Sequence, residues 1–246
     1  MTRRLAALSR AFMALLALGC AGTETGNPSF EGELAYDAFS SDVTAVALTT
    51  GVTTAPGVTA VDSVWLVLGD VSFIGAGRCD GADPSAPAHA TGIGEGDHAT
   101  QGRVVTTVAL DEGQYCGLRV PLELAPAMPI SGPAELGGHS ILISGTTPDG
   151  RTFRVASRKR AVIALESAVP FEMSSSAGTV LIGFDVSEWL GTLDWSLVAG
   201  DPIIIDEANN LELLSDFDAG IALGTALFRA GASEPIDGLR PLAQGQ

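Results

Sequence analysis

Five basic residues within ten positions are the side chains best suited to binding a charged group. Arg151, Arg154, Arg158, Lys159 and Arg160 stand together in a 246-residue chain of formal net charge −16. Guanidinium groups bind carboxylates and phosphates through paired hydrogen bonds, and lysine binds them as a point charge. One interpretation is a site for a carboxylate, a phosphate or an acidic glycan. Because acidic residues are abundant, the sequence favours the other interpretation, a solvated strand face whose charges pair with nearby Asp and Glu and protect a sheet edge.

The N-terminus has the features of a bacterial export signal that ends at a cysteine. Arg3, Arg4 and Arg10 precede an apolar run at residues 11–18, and Cys20 follows that run after one glycine. A run of eight residues is too short to span a membrane, which takes about 20. Residues 16–20 are similar to a lipobox, in which the cysteine is acylated (by palmitate, for example) after cleavage. Residues 17–19 also fit ordinary secretory cleavage, so a soluble secreted protein is the alternative.

The segment after Cys20 carries a family resemblance. Residues 21–28 are small, polar and turn-rich, which is typical of a flexible tether. Residues 22–28, Gly-Thr-Glu-Thr-Gly-Asn-Pro, resemble the tether of a group of uncharacterised bacterial envelope lipoproteins, and residues 149–154 carry a weaker likeness. The resemblance implies an envelope lipoprotein with a β-sandwich-like body and no known activity. Because no Asp follows Cys20, we expect an outer-membrane location by analogy with lipoprotein sorting.

The other two cysteines predict a disulfide. If Cys20 carries lipid, Cys79 and Cys116 are the pair left to oxidise in an extracytoplasmic compartment. The bond would close a loop of 36 intervening residues and stabilise the fold by about 3–4 kcal/mol in the chain-entropy model. The alternative is two free buried thiols.

Metal and catalytic sites have little support in the sequence. His89, Asp97 and His98 are the weak metal candidates, in a Gly/Asp/Pro-rich segment at residues 75–101 without recognisable ligand spacing. We therefore expect a solvated polar loop, no metal and no cofactor. No nucleophile-elbow, zinc-protease or phosphate-loop motif is present, so no catalytic residue is predicted. A hydrolytic carboxylate pair has no fixed spacing, so a glycan hydrolase stays open as the least favoured class.

The body that positions these residues is predicted to be mainly β. Short alternating segments separated by turn residues favour an antiparallel β-sandwich with Greek-key or transthyretin-like character. The strongest strand is predicted at residues 61–74 with a bend at Gly69, and hairpins at residues 104–124 and 140–157. Pro121 predicts an edge strand or a local bulge. For Trp189 and Trp195, the sequence favours packing against apolar neighbours over a surface on which a sugar stacks.

The C-terminal part has a different character. A helical turn is predicted at residues 187–191, and one amphipathic helix at residues 211–228, with Ser215 and Asp218 as a capping box. The predicted organisation is a signal peptide at residues 1–19, an acylated tether at 20–29 and a sandwich at 30–186. An α+β extension at 187–230 packs on that sandwich, and an irregular tail follows at 231–246.

The predicted function is a lipid-anchored envelope protein that acts as a non-enzymatic binding or adhesion module. The strong acidity argues against a nucleic-acid partner. The expected partners are the membrane, through the lipid, and an unidentified protein or glycan. The alternative is a structural accessory protein that acts through protein contacts.

We predict that the protein extracted from its native membrane begins at Cys20 and carries acyl chains. The intact mass should also rise by two protons on reduction, because the Cys79–Cys116 bond would open. Mass spectrometry before and after reduction measures both. An unacylated, soluble product would instead show that residues 17–19 direct ordinary secretion.

Overall fold

The computed structural model describes the chain in nine segments, which are residues 29–39, 57–75, 89–91, 94–97, 104–130, 132–176, 179–221, 224–229 and 240–241. This part is mainly β, as the alternating sequence pattern predicts. No helix within these segments has the length and apolarity that a membrane crossing requires.

The elements in chain order are mostly short strands. Within the described segments, two α-helices and a 3₁₀ turn at Ala134–Leu136 interrupt them. The strands are β1 (Ser29–Phe39), β2 (Ala60–Leu68), β3 (Val71–Gly75), β4 (His89–Thr91), β5 (Gly94–Asp97), β6 (Val104–Asp111), β7 (Gly113–Leu122), β8 (Ile141–Thr146), β9 (Thr152–Ser157), β10 (Ala161–Met173), β11 (Thr179–Asp185), β12 (Ile203–Ile205), β13 (Thr225–Arg229) and β14 (Arg240–Pro241). The helices are α1 (Val186–Gly191) and α2 (Leu211–Gly220).

These strands form two sheets. The smaller has the order β13-β11-β1-β6, and the larger follows β12-β9-β8-β2-β7-β10-β14, with β3, β4 and β5 attached beside β2 and β7. Most of the strand pairs are antiparallel, as predicted, and two neighbouring pairs, β1–β11 and β9–β12, are parallel. Parallel pairing arises where strands distant in sequence meet, which local patterns do not reveal. β14 adds a strand from the tail predicted to be irregular.

β2 and β3 are the spine of the larger sheet. They correspond to the predicted strand at residues 61–74, and the predicted bend lies at Gly69–Asp70 between them. The Gly69 N–H donates to Pro121 O (2.9 Å), and the Glu123 N–H donates to Val67 O (3.0 Å). Pro121 is therefore at an irregularity of a central strand, since β7 also pairs with β10. The edge-strand alternative for Pro121 is wrong, and the bulge alternative is confirmed.

The predicted hairpin at residues 104–124 is wrong. β6 pairs with β1 in the smaller sheet, whereas β7 pairs with β2, β3 and β10 in the larger one. The chain passes from one sheet to the other at Glu112, and the Tyr115 hydroxyl donates to Asp111 O (2.8 Å) across this corner. Turn residues mark a change of direction, but they do not decide whether the next strand pairs or crosses to the facing sheet. The hairpin β8–β9 is confirmed in continuous register.

One core of buried side chains joins both sheets and both helices. Trp189 of α1 is fully buried, with ring centroids 5.8 Å from Phe184 of β11 and 6.4 Å from Phe217 of α2. Trp195 packs edge-on against Phe153 at 5.1 Å, and its indole N–H donates to Leu190 O. Both tryptophans are thus used in packing, the use that the sequence favours over a sugar platform.

The C-terminal helix is shorter than predicted. α2 ends at Gly220, and β13 then pairs antiparallel with β11. The helix begins at Leu211, directly after Asn210, whose backbone is left-handed. Ser215 therefore lies in the interior of the helix, and the predicted capping box there is wrong. Gly220 and Gly224 weaken helix continuation by about 1 kcal/mol each. At Gly224 a Cβ would lie 2.6 Å from the Trp189 indole nitrogen, so this close approach requires glycine.

We predict that Leu190→Ala lowers the free energy of unfolding by about 2–5 kcal/mol, because it leaves a cavity in the core. Leu190 is fully buried, whereas Leu197, seven positions along, is 67% exposed. Leu197→Ala is therefore the matched control and should change stability by less than about 0.5 kcal/mol. Urea unfolding measures both variants. Equal losses would contradict the assignment of α1 to the core.

Candidate functional site

The structure divides the five clustered basic residues among three environments. Arg151 follows the β8–β9 turn, where its Nε donates to Asp149 Oδ2 at 2.7 Å and a terminal nitrogen donates to Gly200 O at 3.1 Å. The Thr147 hydroxyl donates to Asp149, and this bond together with Arg151 lowers the pKa of Asp149. Arg151 therefore stabilises the turn.

Arg154 also has a structural environment. It lies half-buried on β9, opposite Ser144 of β8 and Ile204 of β12. Partial burial alone would raise the pKa of nearby Asp206, but hydrogen bonds from Asn209 and Ala208 and the positive charge of Arg154 outweigh burial and lower that pKa. Arg154 thus has an acidic neighbour, as the alternative of a charge-paired strand face predicts.

The remaining three, Arg158, Lys159 and Arg160, form an exposed connection between β9 and β10, here called the basic triplet. The strand-face interpretation does not apply to these three residues, because β9 ends at Ser157. Within the described segments, the guanidinium groups of Arg158 and Arg160 form no hydrogen bond or ion pair. These two cations are available to a ligand.

The basic triplet forms one wall of an open groove of about 570 Å³. α2 forms the facing wall with Leu211, Leu214, Ser215, Asp218 and Ala219, and Glu207 lies on the approach to α2. Cations, carboxylates and apolar side chains therefore share one concave surface, the combination found in many ligand sites.

A buried hydroxyl pair holds the two walls together. The Ser157 hydroxyl donates to Asp218 Oδ1 of α2 at 2.5 Å and accepts the Lys159 N–H at 3.0 Å. The Ser140 hydroxyl donates to Lys159 O at 2.7 Å. Both serines are fully buried, so these bonds fix the backbone of the basic triplet against the helix. The sequence contains no signal for this link, since Ser157 and Asp218 are 61 residues apart.

Asp218 is the titrating group of the groove. Burial raises its pKa above the ordinary value of 3.8, and the nearby charge of Glu207 raises it further. The Ser157 hydrogen bond and the positive charge of Lys159 act in the opposite direction but do not cancel the rise. Asp218 therefore gains a proton more readily than an exposed aspartate does.

His139 stands at the Glu207 end of the groove. Its Nε2 lies 3.9 Å from Glu207 Oε2, and its Nδ1 is buried without a hydrogen-bond partner among the described residues. The glycan hydrolase hypothesis requires a buried pair of carboxylates facing a cleft. Glu207 and Asp218 both line the groove, but the Glu207 side chain is 43% exposed, so they are not such a pair.

The register separates two of the three metal candidates. His89 pairs with Phe73, and Asp97 pairs with Trp65, eight residues away along the spine. At about 3.3 Å per residue the two backbones lie roughly 25 Å apart, too far to share one ion. His98 lies outside the described residues, and the described segments contain no group of three metal-ligating side chains.

Cys116 is disulfide-bonded. β3 ends at Gly75, which pairs with Tyr115, so the chain leaves the sheet beside Cys116. The predicted partner, Cys79, comes four positions later and lies outside the described residues, as does Cys20. The pairing and the lipidation both stay predictions.

Comparison with known proteins identifies no relative. No protein-family model, curated protein or solved structure matches this chain.

We predict that Asp218→Asn changes the pH dependence of stability. The pKa of Asp218 is higher in the folded protein than its ordinary value. The stabilisation that follows from this shift is complete below pH 3.8, the ordinary pKa, and is lost as the pH rises through the folded pKa. Asparagine keeps an acceptor for Ser157 but has no charge, so the variant should gain stability relative to the unmodified protein as pH rises.

Urea unfolding at a series of pH values between about 3 and 7 measures this difference. Asp216→Asn is the matched control, because Asp216 is exposed on the same helix. Parallel curves for all three proteins would show that Asp218 titrates as an ordinary surface carboxyl.

Proposed function

We propose that this chain is a lipid-anchored bacterial envelope protein whose β body is a non-enzymatic binding module. Cys20 bears the anchor, and the groove beside the basic triplet binds an anionic group of the ligand. The export signal and the lipoprotein-like tether at residues 20–29 support the anchor. We further propose the outer membrane as the location, on the absence of Asp after Cys20.

The observation that carries the binding proposal is the contrast within the basic cluster. A purely solvated or edge-protecting cluster should pair with the abundant Asp and Glu side chains. Arg151 forms an ion pair with Asp149, and Arg154 lies close enough to Asp206 to lower the pKa of that carboxyl without a direct contact. The buried Nε of Arg154 has no hydrogen-bond partner among the described residues. Arg158 and Arg160 contact no acidic side chain in the described segments, although the chain carries 29 Asp and Glu residues.

The surroundings of the basic triplet also favour a specific site over a diffuse charge effect. The Ser140 and Ser157 hydroxyls fix its backbone, so a ligand would not have to order this connection on binding. The arginine side chains still have to order on binding, but the backbone that carries them is already fixed, which lowers the entropy cost relative to a mobile loop. A binding function therefore fits better than solubility alone.

We predict that Arg158→Glu and Arg160→Glu each weaken binding of an anionic ligand by at least about tenfold, which is 1.4 kcal/mol. Neither change should lower the unfolding midpoint, because both side chains are exposed and unpaired in the described structure. Isothermal titration of the full mature chain with poly-L-glutamate, polygalacturonate and inorganic polyphosphate measures the affinity. The ionic strength should be held near 0.1 M.

Arg151→Glu is the matched control, because it makes the same charge reversal outside the groove. It should leave the affinity within about twofold of the original, apart from a general charge effect. Equal losses for Arg151→Glu and Arg158→Glu would show only nonspecific charge attraction. Binding of none of the three polyanions would overturn the proposed anion site.

A further inference from the structure

We infer that the ligand of this groove is an acidic polypeptide segment that also carries an apolar side chain. The inference rests on the proposed anion site and names the class of ligand for it. Three features of the groove separate a polypeptide from a phosphate, an acidic glycan and a lipid headgroup.

The first feature is size. An open groove of about 570 Å³ has room for a ligand of many atoms. A single carboxylate or phosphate occupies only the neighbourhood of one guanidinium. Arg158 and Arg160 stand on either side of Lys159 in the sequence, so a ligand with several anionic groups is needed to use the whole basic wall.

The second feature is an exposed apolar side chain on the opposite wall. Leu211, the first residue of α2, is 59% exposed and lines the groove, although the helical pattern predicts it on the buried stripe. Leu214 and Ala219 line the same wall. An apolar ligand side chain packed there would be stabilised by about 25 cal/mol for each Å² removed from water. Polyphosphate has no such group, and a carboxylated sugar offers only the C–H face of its ring.

The third feature is the pair of carboxylates, Glu207 and Asp218. They would repel a ligand that offers only anionic oxygens. A polypeptide carries a backbone N–H at nearly every residue, so it supplies donors for these carboxylates while its own Asp and Glu side chains reach the basic triplet. The mixed charge of the groove therefore disfavours polyphosphate, which has no donors, whereas an acidic glycan has hydroxyl donors and is separated from a polypeptide by the apolar wall.

The test compares capped peptides of about eight residues, the length of an extended recognition segment. One contains Asp and Glu with a central Leu, and its twin has Ser at the centre. Polygalacturonate, inorganic polyphosphate and phosphatidylglycerol vesicles complete the set, and the protein is the full mature chain. The Leu peptide should bind at least about tenfold more tightly than the Ser peptide.

Leu211→Ser is the diagnostic variant. It should remove the advantage of the Leu peptide and leave the affinity for the Ser peptide unchanged, because only the apolar contact is lost. Leu197→Ser is the matched control, since Leu197 is similarly exposed but does not line the groove. The advantage should persist in the control. Equal binding of the two peptides to the unmodified protein would overturn the inference.

The other outcomes separate the inference from the proposed function. If polygalacturonate, polyphosphate or the vesicles bind more tightly than both peptides and Arg158→Glu abolishes that binding, the anion site stands and the polypeptide ligand is wrong. If none of the probes binds, both the site and the inference fail.

Discussion

The hydroxyl of Ser157 is the contact on which the site depends. It lies at the last residue of β9, and it joins the N–H of Lys159 to the carboxylate of Asp218 on α2. Because Ser157 is fully buried, both hydrogen bonds are protected from water and position the two walls of the groove relative to the sheet. Burial raises the pKa of Asp218, whereas the Ser157 hydroxyl and the charge of Lys159 lower it without cancelling that rise.

Local features of the sequence predict the individual strands well but not their partners. The β8–β9 hairpin follows from a Pro-Asp-Gly turn between two alternating segments, so all its information is local. The turn at residues 111–113 has similar chemistry, yet there the chain changes sheets. In α2, the helical spacing continues past Gly220, but pairing with β11 turns residues 225–229 into a strand. Both errors arise from contacts between residues far apart in sequence.

The candidate site was predictable to a similar extent. The sequence identifies the run of cations. It also predicts two alternative roles for them, which are binding an anion and pairing with acidic neighbours. Which role applies to each residue depends on α2 and on the segment at residues 200–207, which lie some 50 to 60 positions away. Leu211 shows the same limit, since the periodicity places it on the buried stripe and the groove leaves it exposed. Neither Ser157 nor Asp218 has a sequence motif that marks it.

The net charge of the chain explains why so small a cationic patch can be selective. A body of formal charge −16 repels polyanions at long range, so diffuse attraction to any acidic polymer is not available. Beyond about 10 Å salt screens that repulsion, whereas contacts inside the groove are screened much less. A ligand must therefore gain its affinity within the groove, from paired hydrogen bonds to Arg158 and Arg160, donors for Glu207 and Asp218, and burial of Leu211. Long-range repulsion of polyanions by the acidic chain and the mixed polarity within the groove together favour a short acidic segment over a uniformly charged polymer.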